Sequence, residues 1–277
     1  MPAPAPDLDS PSRVASLAVR LPQGVGLLVV GHGTADPVGA AETRQVADLV
    51  AAQLPGVPVA LGYLEVIGPT IDDGLAELAA AGCRQVVAAP LLLFAAGHAK
   101  KDVPDAIAAA AADRGLQVVQ SDPLGCHRAI VELSGRRRRE AVAARPLIAS
   151  DATALVMIGR GSSDPTALPQ LQGFAAVTLA GQEPLRDVSF GFVAAARPAL
   201  REALEAATDP SRSGVRRVIV QPHILFRGHV EEQITAAVEE ARQRHPEIDW
   251  IQVPRLGADR LVAEALAERA AGVVENP

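Results

Sequence analysis

His32 stands between Gly31 and Gly33 at the end of an apolar run, and His98 follows Gly97 after the run Pro90-Leu91-Leu92-Leu93-Phe94. Between them, Glu65 closes the segment Gly62-Tyr63-Leu64-Glu65. Two neutral imidazoles with a carboxylate nearby can hold a divalent first-row metal, and they can take up protons near neutral pH. Flanking glycines leave the His32 ring room and let a ligand approach the backbone closely. Plainer readings stand beside these. His32 could be a loop histidine with its ring in solvent, and His98 a residue of a helix N-cap region. A carboxylate at a strand end is costly to bury without a partner, so Glu65 reads as functional as readily as structural.

These positions return later in the chain. Gly31-His32-Gly33-Thr34-Ala35-Asp36-Pro37 reappears as Gly159-Arg160-Gly161-Ser162-Ser163-Asp164-Pro165, and Gly62-Tyr63-Leu64-Glu65 as Gly191-Phe192-Val193-Ala194. The stretch from Arg84 to His98 is repeated from Arg217 to His229, and Leu124-Gly125-Cys126-His127-Arg128 returns as Leu256-Gly257-Ala258-Asp259-Arg260. Matched blocks in the same order mark an internal duplication. The exchange of His32 for Arg160, and of Glu65 for Ala194, assigns chemistry to the first half and completion of a cleft to the second. His229 aligns with His98, as a third imidazole or as a residual structural residue. Asp36 and Asp164, each before a proline, read as Asx-type caps of the helix that follows. His223 reads as a satisfied core histidine, His127 and His245 as surface residues, and the run Arg136-Arg137-Arg138-Arg139 as a solvated helix face. Lys100, Lys101, Arg160 and Arg227 are the candidates for holding anionic groups.

Each repeat alternates short continuous apolar runs with longer amphipathic segments, as in a parallel sheet covered by helices on both faces. The pattern predicts strands over 26–31, 57–64, 85–92 and 116–120, then 154–159, 188–193, 217–223 and 249–253. Helices lie between them, and several are expected to open on an early proline, such as Pro69 and Pro198. The expected fold class is α/β: two tandem doubly wound, Rossmann-like parallel-sheet domains related by duplication. Residues 1–22 read as a disordered tail, 23–148 as a catalytic domain and 149–277 as a degenerate repeat, with a linker over 144–151. Ligands in such sheets sit beyond the carboxyl ends of the strands. That puts His32, Glu65 and His98 on one rim of a cleft, and Arg160, Ala194 and His229 on the facing rim.

Composition removes several function classes. The net charge of −6 and the 3% aromatic content argue against nucleic-acid and membrane-surface binding. Cys83 and Cys126 lie far apart, which excludes a disulfide framework and a thiolate zinc site and suits a reducing compartment. No apolar run reaches the ~18 residues that span a bilayer, so the expected location is the cytoplasm. Gly31-His32-Gly33 lacks the third glycine of a dinucleotide fingerprint, and no G-x-x-x-x-G-K-[ST] loop or G-x-S-x-G elbow occurs. A histidine phosphatase would place Arg directly before His32, where Gly31 stands.

The opening from Gly31 to Pro37, the Gly62–Glu65 segment and the block Pro90-Leu91-Leu92-Leu93-Phe94-x-x-Gly97-His98-x-Lys100-Lys101-Asp102-Val103-Pro104 resemble the CbiX/SirB sirohydrochlorin chelatases. These are class II, ATP-independent enzymes related to protoporphyrin ferrochelatase. The resemblance runs over about residues 24–272 and fits the long, two-repeat form. It implies insertion of Co²⁺ or Fe²⁺, with Ni²⁺ a further candidate, into sirohydrochlorin on the way to cobalamin or sirohaem. It implies no cofactor beyond the metal substrate. His32 and His98 would bind the metal and assist deprotonation, with Glu65 at the family's acidic position. The many carboxylates of sirohydrochlorin would be oriented by Lys100, Lys101, Arg160, Arg227 and His229. Arg160 and Ala194 depart from the pattern, which argues against a second complete site. The partners expected are sirohydrochlorin and the metal ion, with no nucleic acid and no membrane, and the chain is expected to be a monomer with pseudo-two-fold domains. A metal or tetrapyrrole carrier that keeps the chelatase fold is the alternative.

Overall fold

Among the described residues, the apolar runs form two parallel four-stranded sheets of the same strand order, β2-β1-β3-β4 and β6-β5-β7-β8. The computed structural model describes residues 20–94, 103–209 and 214–275. Residues 1–19 of the expected tail, and His98, Lys100 and Lys101, lie outside the described residues. The first half runs β1 (Val25–Gly31), α1 (Pro37–Gln53), β2 (Val59–Tyr63), α2 (Ile71–Ala80), β3 (Gln85–Pro90), α3 (Val103–Ala112), β4 (Gln117–Gln120) and α4 (Arg128–Ala143). After a 3₁₀ turn at Ser150–Ala152 come β5 (Thr153–Gly159), α5 (Ala167–Leu179), β6 (Asp187–Phe192), α6 (Leu200–Ala207), β7 (Arg217–His223), α7 (His229–Arg244), β8 (Asp249–Gln252) and α8 (Arg260–Glu275).

The strands read as unbroken apolar runs because both faces are covered. On β1, Leu27 and Val29 pack with Val46 and Val50 of α1 and with Val262 and Leu266 of α8. Leu28 and Val30 point the other way, to Leu75 and Leu78 of α2 and Ile107 of α3. β3 ends at Pro90, two residues short of the prediction, and residues 91–94 leave the sheet to line the cleft.

The prolines at the helix starts are placed differently from the expectation. α2 begins at Ile71 behind the N-cap Thr70, whose hydroxyl and Asp73 cap each other's backbone N–H. Pro69 therefore precedes the cap, as Pro198 precedes Ala199. Each proline follows a cis peptide bond, and its carbonyl accepts the N–H of the strand's last residue, Tyr63 at 2.8 Å and Phe192 at 2.9 Å. The proline ring thus sits where the chain returns beside the strand end rather than inside the helix. Pro37 does occupy the first turn of α1, where its missing N–H removes no helix bond.

The last helix of each half packs on the other half. α8 lies on α1 and β3 of the first sheet, while α4 lies against α5 and β8 of the second. This overturns the solvated reading for Arg136, Arg137 and Arg138 on α4, while Arg139 is exposed as expected. Arg138 is buried, with its guanidinium donating to Gln221 Oε1 at 2.9 Å, Gln182 Oε1 at 3.1 Å and the Thr178 carbonyl. Burial holds its pKa below the usual arginine value. Arg136 and Arg137 both pair with Asp259, the residue that caps α8 by accepting the Leu261 N–H. His127 is likewise no surface residue. Its Nδ1 accepts the Ala129 N–H at the start of α4, and its Nε2 lies 3.2 Å from Glu268 of α8. With Nδ1 the acceptor, the ring proton sits on Nε2.

A second junction lies beside the strand ends. The Arg255 guanidinium forks between Glu42 of α1 (2.7 Å) and Glu231 of α7 (2.9 Å), and Glu42 also accepts the Arg227 N–H. Here Gly39 of α1 lies against the Arg227 backbone so closely that a Cβ would overlap that carbonyl oxygen. Gly39→Ala gains helix propensity, but backbone cannot yield as a flexible side chain does, so the halves must separate. A net loss of about 1–3 kcal/mol is expected, measured as a fall in Tm. An unchanged or higher Tm would mean that the halves do not meet there in solution.

Candidate active site

β1 and β2 run side by side, with Gly31 paired to Tyr63, so the residues beyond them emerge together. The first turn past the sheet is held by the backbone. The Leu64 N–H donates to Gly31 and the Glu65 N–H to the His32 carbonyl, at 2.9 and 3.1 Å. Gly33, at φ +101°, lies on the Glu65 carbonyl, where any Cβ would overlap the oxygen. The Ile67 N–H then bonds back to Glu65 across Val66, which sits at φ +73°. A positive-φ γ-turn on a β-branched residue stores about 1–3 kcal/mol of strain. The duplicate keeps this backbone: Ala194 N–H donates to Arg160, Gly161 lies on the Ala194 carbonyl, and Ala195 has φ +56°. The hydroxyls of Thr34 and Ser162 each accept an aspartate N–H two residues on (Asp36 and Asp164). Asp36 in turn caps α1 by accepting from Val38 and Gly39, as the sequence led us to expect.

On this scaffold His32 Nδ1 comes to 3.2 Å from Glu65 Oε1, with the ring mostly covered and the carboxylate half exposed. A carboxylate that accepts from one ring nitrogen fixes a histidine's tautomer and leaves the other nitrogen its lone pair, and Glu65 lies where it could serve Nδ1 in that way. The pair opens onto a cleft of about 510 Å³ between the two sheets, within the size range of small-molecule sites. Arg160, Arg227 and His229 line its second-half wall. They are not equivalent. Arg227 is engaged by Asp36 at 3.6 Å and Glu232 at 3.8 Å, and the exposed His229 ring lies 3.7 Å from Glu232. Among the described residues Arg160 has no ion-pair partner, so its guanidinium is available to an anion. No group of three or more His, Cys, Asp or Glu among the described residues could hold a metal; His32 and Glu65 supply two side chains.

The sequence reading passed over an aromatic cluster at this cleft, in which Phe94 and His223 line the cavity and Phe174 is fully buried. His223, the last residue of β7, is buried between the rings of Phe94 and Phe174, at centroid separations of 4.9 and 4.1 Å. Its Nε2 is buried without a hydrogen-bond partner. It is therefore a core histidine, but not a satisfied one. The available sequence signal was the pairing of His223 with Leu91 in the repeat, which shows that the fold does not require a polar group there.

Fold and site together define a duplicated, doubly wound α/β protein with a histidine–glutamate pair opening onto the cleft between its repeats. Residues 26–141 and 154–273 each match the CbiX family model, and the chain belongs to the CbiX family. It is 27% identical over 245 residues to a sirohydrochlorin cobaltochelatase of Priestia megaterium, spanning 88% of this chain and 78% of that protein. A sirohydrochlorin ferrochelatase of Bacillus subtilis is 27% identical over 224 residues, covering 80% of this chain and 82% of that one. The fold is shared with SirB from Bacillus subtilis, solved with Fe³⁺, at a TM-score of 0.78 and 24% identity over 91% of this chain and 98% of that one.

Two outcomes follow from this geometry. Gly33→Ala pushes Glu65 away from His32 and should weaken Co²⁺ binding at least about tenfold with the circular dichroism spectrum unchanged; undiminished binding in calorimetry would uncouple the pair from metal. Burial drives the His223 pKa from 6.5 down to about 3. Between those values the unfolded chain binds a proton that the folded chain cannot, so stability is full above about pH 6.5 and lost as the pH falls. Urea unfolding should show ~2 kcal/mol lost between pH 7.5 and pH 5 on this account. His223→Leu should remove that part of the slope, and parallel slopes in the two proteins would refute it.

Proposed function

We propose that this chain is a sirohydrochlorin chelatase that inserts Co²⁺ or Fe²⁺ into the macrocycle held in the cleft between its two halves. The observation that carries the reading is the His32–Glu65 pair opening onto the same cleft as Arg160, which has no ion-pair partner among the described residues. Family membership and the names of the relatives support it.

Metallation requires the ion to shed water and two pyrrole N–H protons to leave the macrocycle. In this reading Glu65 holds Nδ1 of His32, and Nε2 presents its lone pair to the ion. An imidazole binds such ions while still able to release them. Glu65, and His32 once its Nε2 has released the ion, offer acceptors for departing protons, and His98 is proposed as the second metal-binding imidazole. Arg160 orients a substrate carboxylate, with Lys100, Lys101, Arg227 and His229 completing the set. Formation of metal–nitrogen bonds drives the reaction, so ATP is not needed, in keeping with the lack of a phosphate-binding loop in the sequence. The division of labour proposed is a catalytic half over 23–148 and a completing half over 149–277. The chain would act as a monomer in the cytoplasm, without nucleic acid; among the described residues no helix is long and apolar enough to cross a membrane.

His32→Ala should abolish enzymatic metallation, followed by the absorbance of sirohydrochlorin with Co²⁺ or Fe²⁺ and corrected for spontaneous insertion. Full activity in that variant would defeat the assignment. Tight stoichiometric binding by the wild-type protein without turnover would instead make it a carrier.

A further inference from the structure

We propose that His223 is a substrate-contacting residue supplied by the second half, whose Nε2 accepts a hydrogen bond from a pyrrole N–H of the bound tetrapyrrole. The inference rests on the chelatase reading and adds to it a polar contact from the half that lacks the His32 and Glu65 equivalents.

Several observations converge on this residue. A buried polar atom without a partner is costly, and native interiors rarely keep one without a reason. Two residues earlier on the same face of β7, Gln221 is equally buried yet fully served: it accepts from Arg138 and donates to Ser134 Oγ at 2.7 Å and to the Ser134 carbonyl. Gln221 therefore finds partners on this face of β7, and the Nε2 of His223 does not. The fold does not demand an imidazole, since the matching position of the first half is the buried Leu91. The residue also sits where β7 reaches the cleft: His223 lines it together with His32, Glu65 and Phe94.

The environment selects the kind of ligand. Phe94 and Phe174 flank the imidazole at tilts of 39° and 41°. Burial keeps it neutral across the physiological range, so it cannot hold the released protons as His32 or Glu65 can. A neutral acceptor among aromatic and aliphatic side chains suits a flat, largely apolar ligand with an N–H near its centre. The charged rim at Arg160 suits the same ligand's carboxylates. His223 would thus hold the macrocycle from the second half while deprotonation proceeds elsewhere.

The test uses the full chain and metal-free sirohydrochlorin, titrated by absorbance into wild type, His223→Leu and His223→Gln. Leucine copies the first-half residue and removes an unsatisfied polar atom, so its Tm at pH 7 should not fall. We expect the leucine variant to bind the tetrapyrrole between about two- and tenfold more weakly, the range of one neutral hydrogen bond. KM for sirohydrochlorin should rise with it, Co²⁺ affinity should stay unchanged, and glutamine should restore part of the binding. Wild-type-like or tighter binding by the leucine variant overturns this inference while leaving the chelatase reading intact. A glutamine variant as weak as leucine overturns the hydrogen bond. Failure of the wild-type protein itself to bind sirohydrochlorin overturns both.

Discussion

The cleft exists because neither half can bury its own sheet. The face of the first sheet carrying Leu27, Val29, Val87 and Ala89 is closed by α8, at the far end of the chain, while α4 leaves the first half to lie on the second. One apolar cluster consequently runs from Val46 and Val50 through Leu266 to Met157, Leu171 and Phe174. Hydrophobic burial on this scale holds the two sheets at a set spacing. The strand ends, and the side chains beyond them, inherit that spacing.

Duplicated halves face an ambiguity in such an exchange, since each last helix could dock on either sheet. Polar matching resolves it. α4 carries Ser134 and Arg138 where α8 carries Leu266 and Ala270, and β7 carries Gln221 where β3 carries Ala89. Placing α8 against β7 would leave Gln221 buried without partners, and placing α4 against β3 would bury a guanidinium against methyl groups. Unpartnered buried polar groups are costly, whereas the observed pairing satisfies both sheets. The Arg255 fork to Glu42 and Glu231 has no counterpart in the duplicate, where Pro123 and Gln170 stand in place of Arg255 and Glu42. The cleft is therefore pinned by charge on one side.

The two halves share backbone and differ in chemistry. Carbonyl-to-amide bonds link His32 with Glu65 and Arg160 with Ala194, with a glycine on the carbonyl and a strained γ-turn after it in each case. This turn is a device for bringing two strand ends within hydrogen-bond reach. Only in the first half does it carry an imidazole and a carboxylate. In the second it carries the Arg160 guanidinium instead, and a polar side chain that the first half lacks, His223, lines the cleft.

Much of this was legible in the residues alone. Continuous apolar runs of strand length, repeated in the same order, dictated two parallel sheets, and Gly-His-Gly after a buried strand located the rim. These are local signals, governed by side-chain periodicity and by backbone freedom at glycine. Arg136, Arg137, Arg138 and His127 were misread because a helix's own pattern shows which residues are polar but not which surface it will meet; that depends on α4 crossing to the other half. His223 was misread for a related reason. Its burial follows from β7, but the partners of Nε2 depend on Phe94, Phe174 and the cleft, which converge from segments 49 to 129 residues away in the chain. Strand positions and rim composition are properties of the sequence, whereas the strand order and polar satisfaction depend on long-range neighbours, the latter only once the halves have exchanged helices.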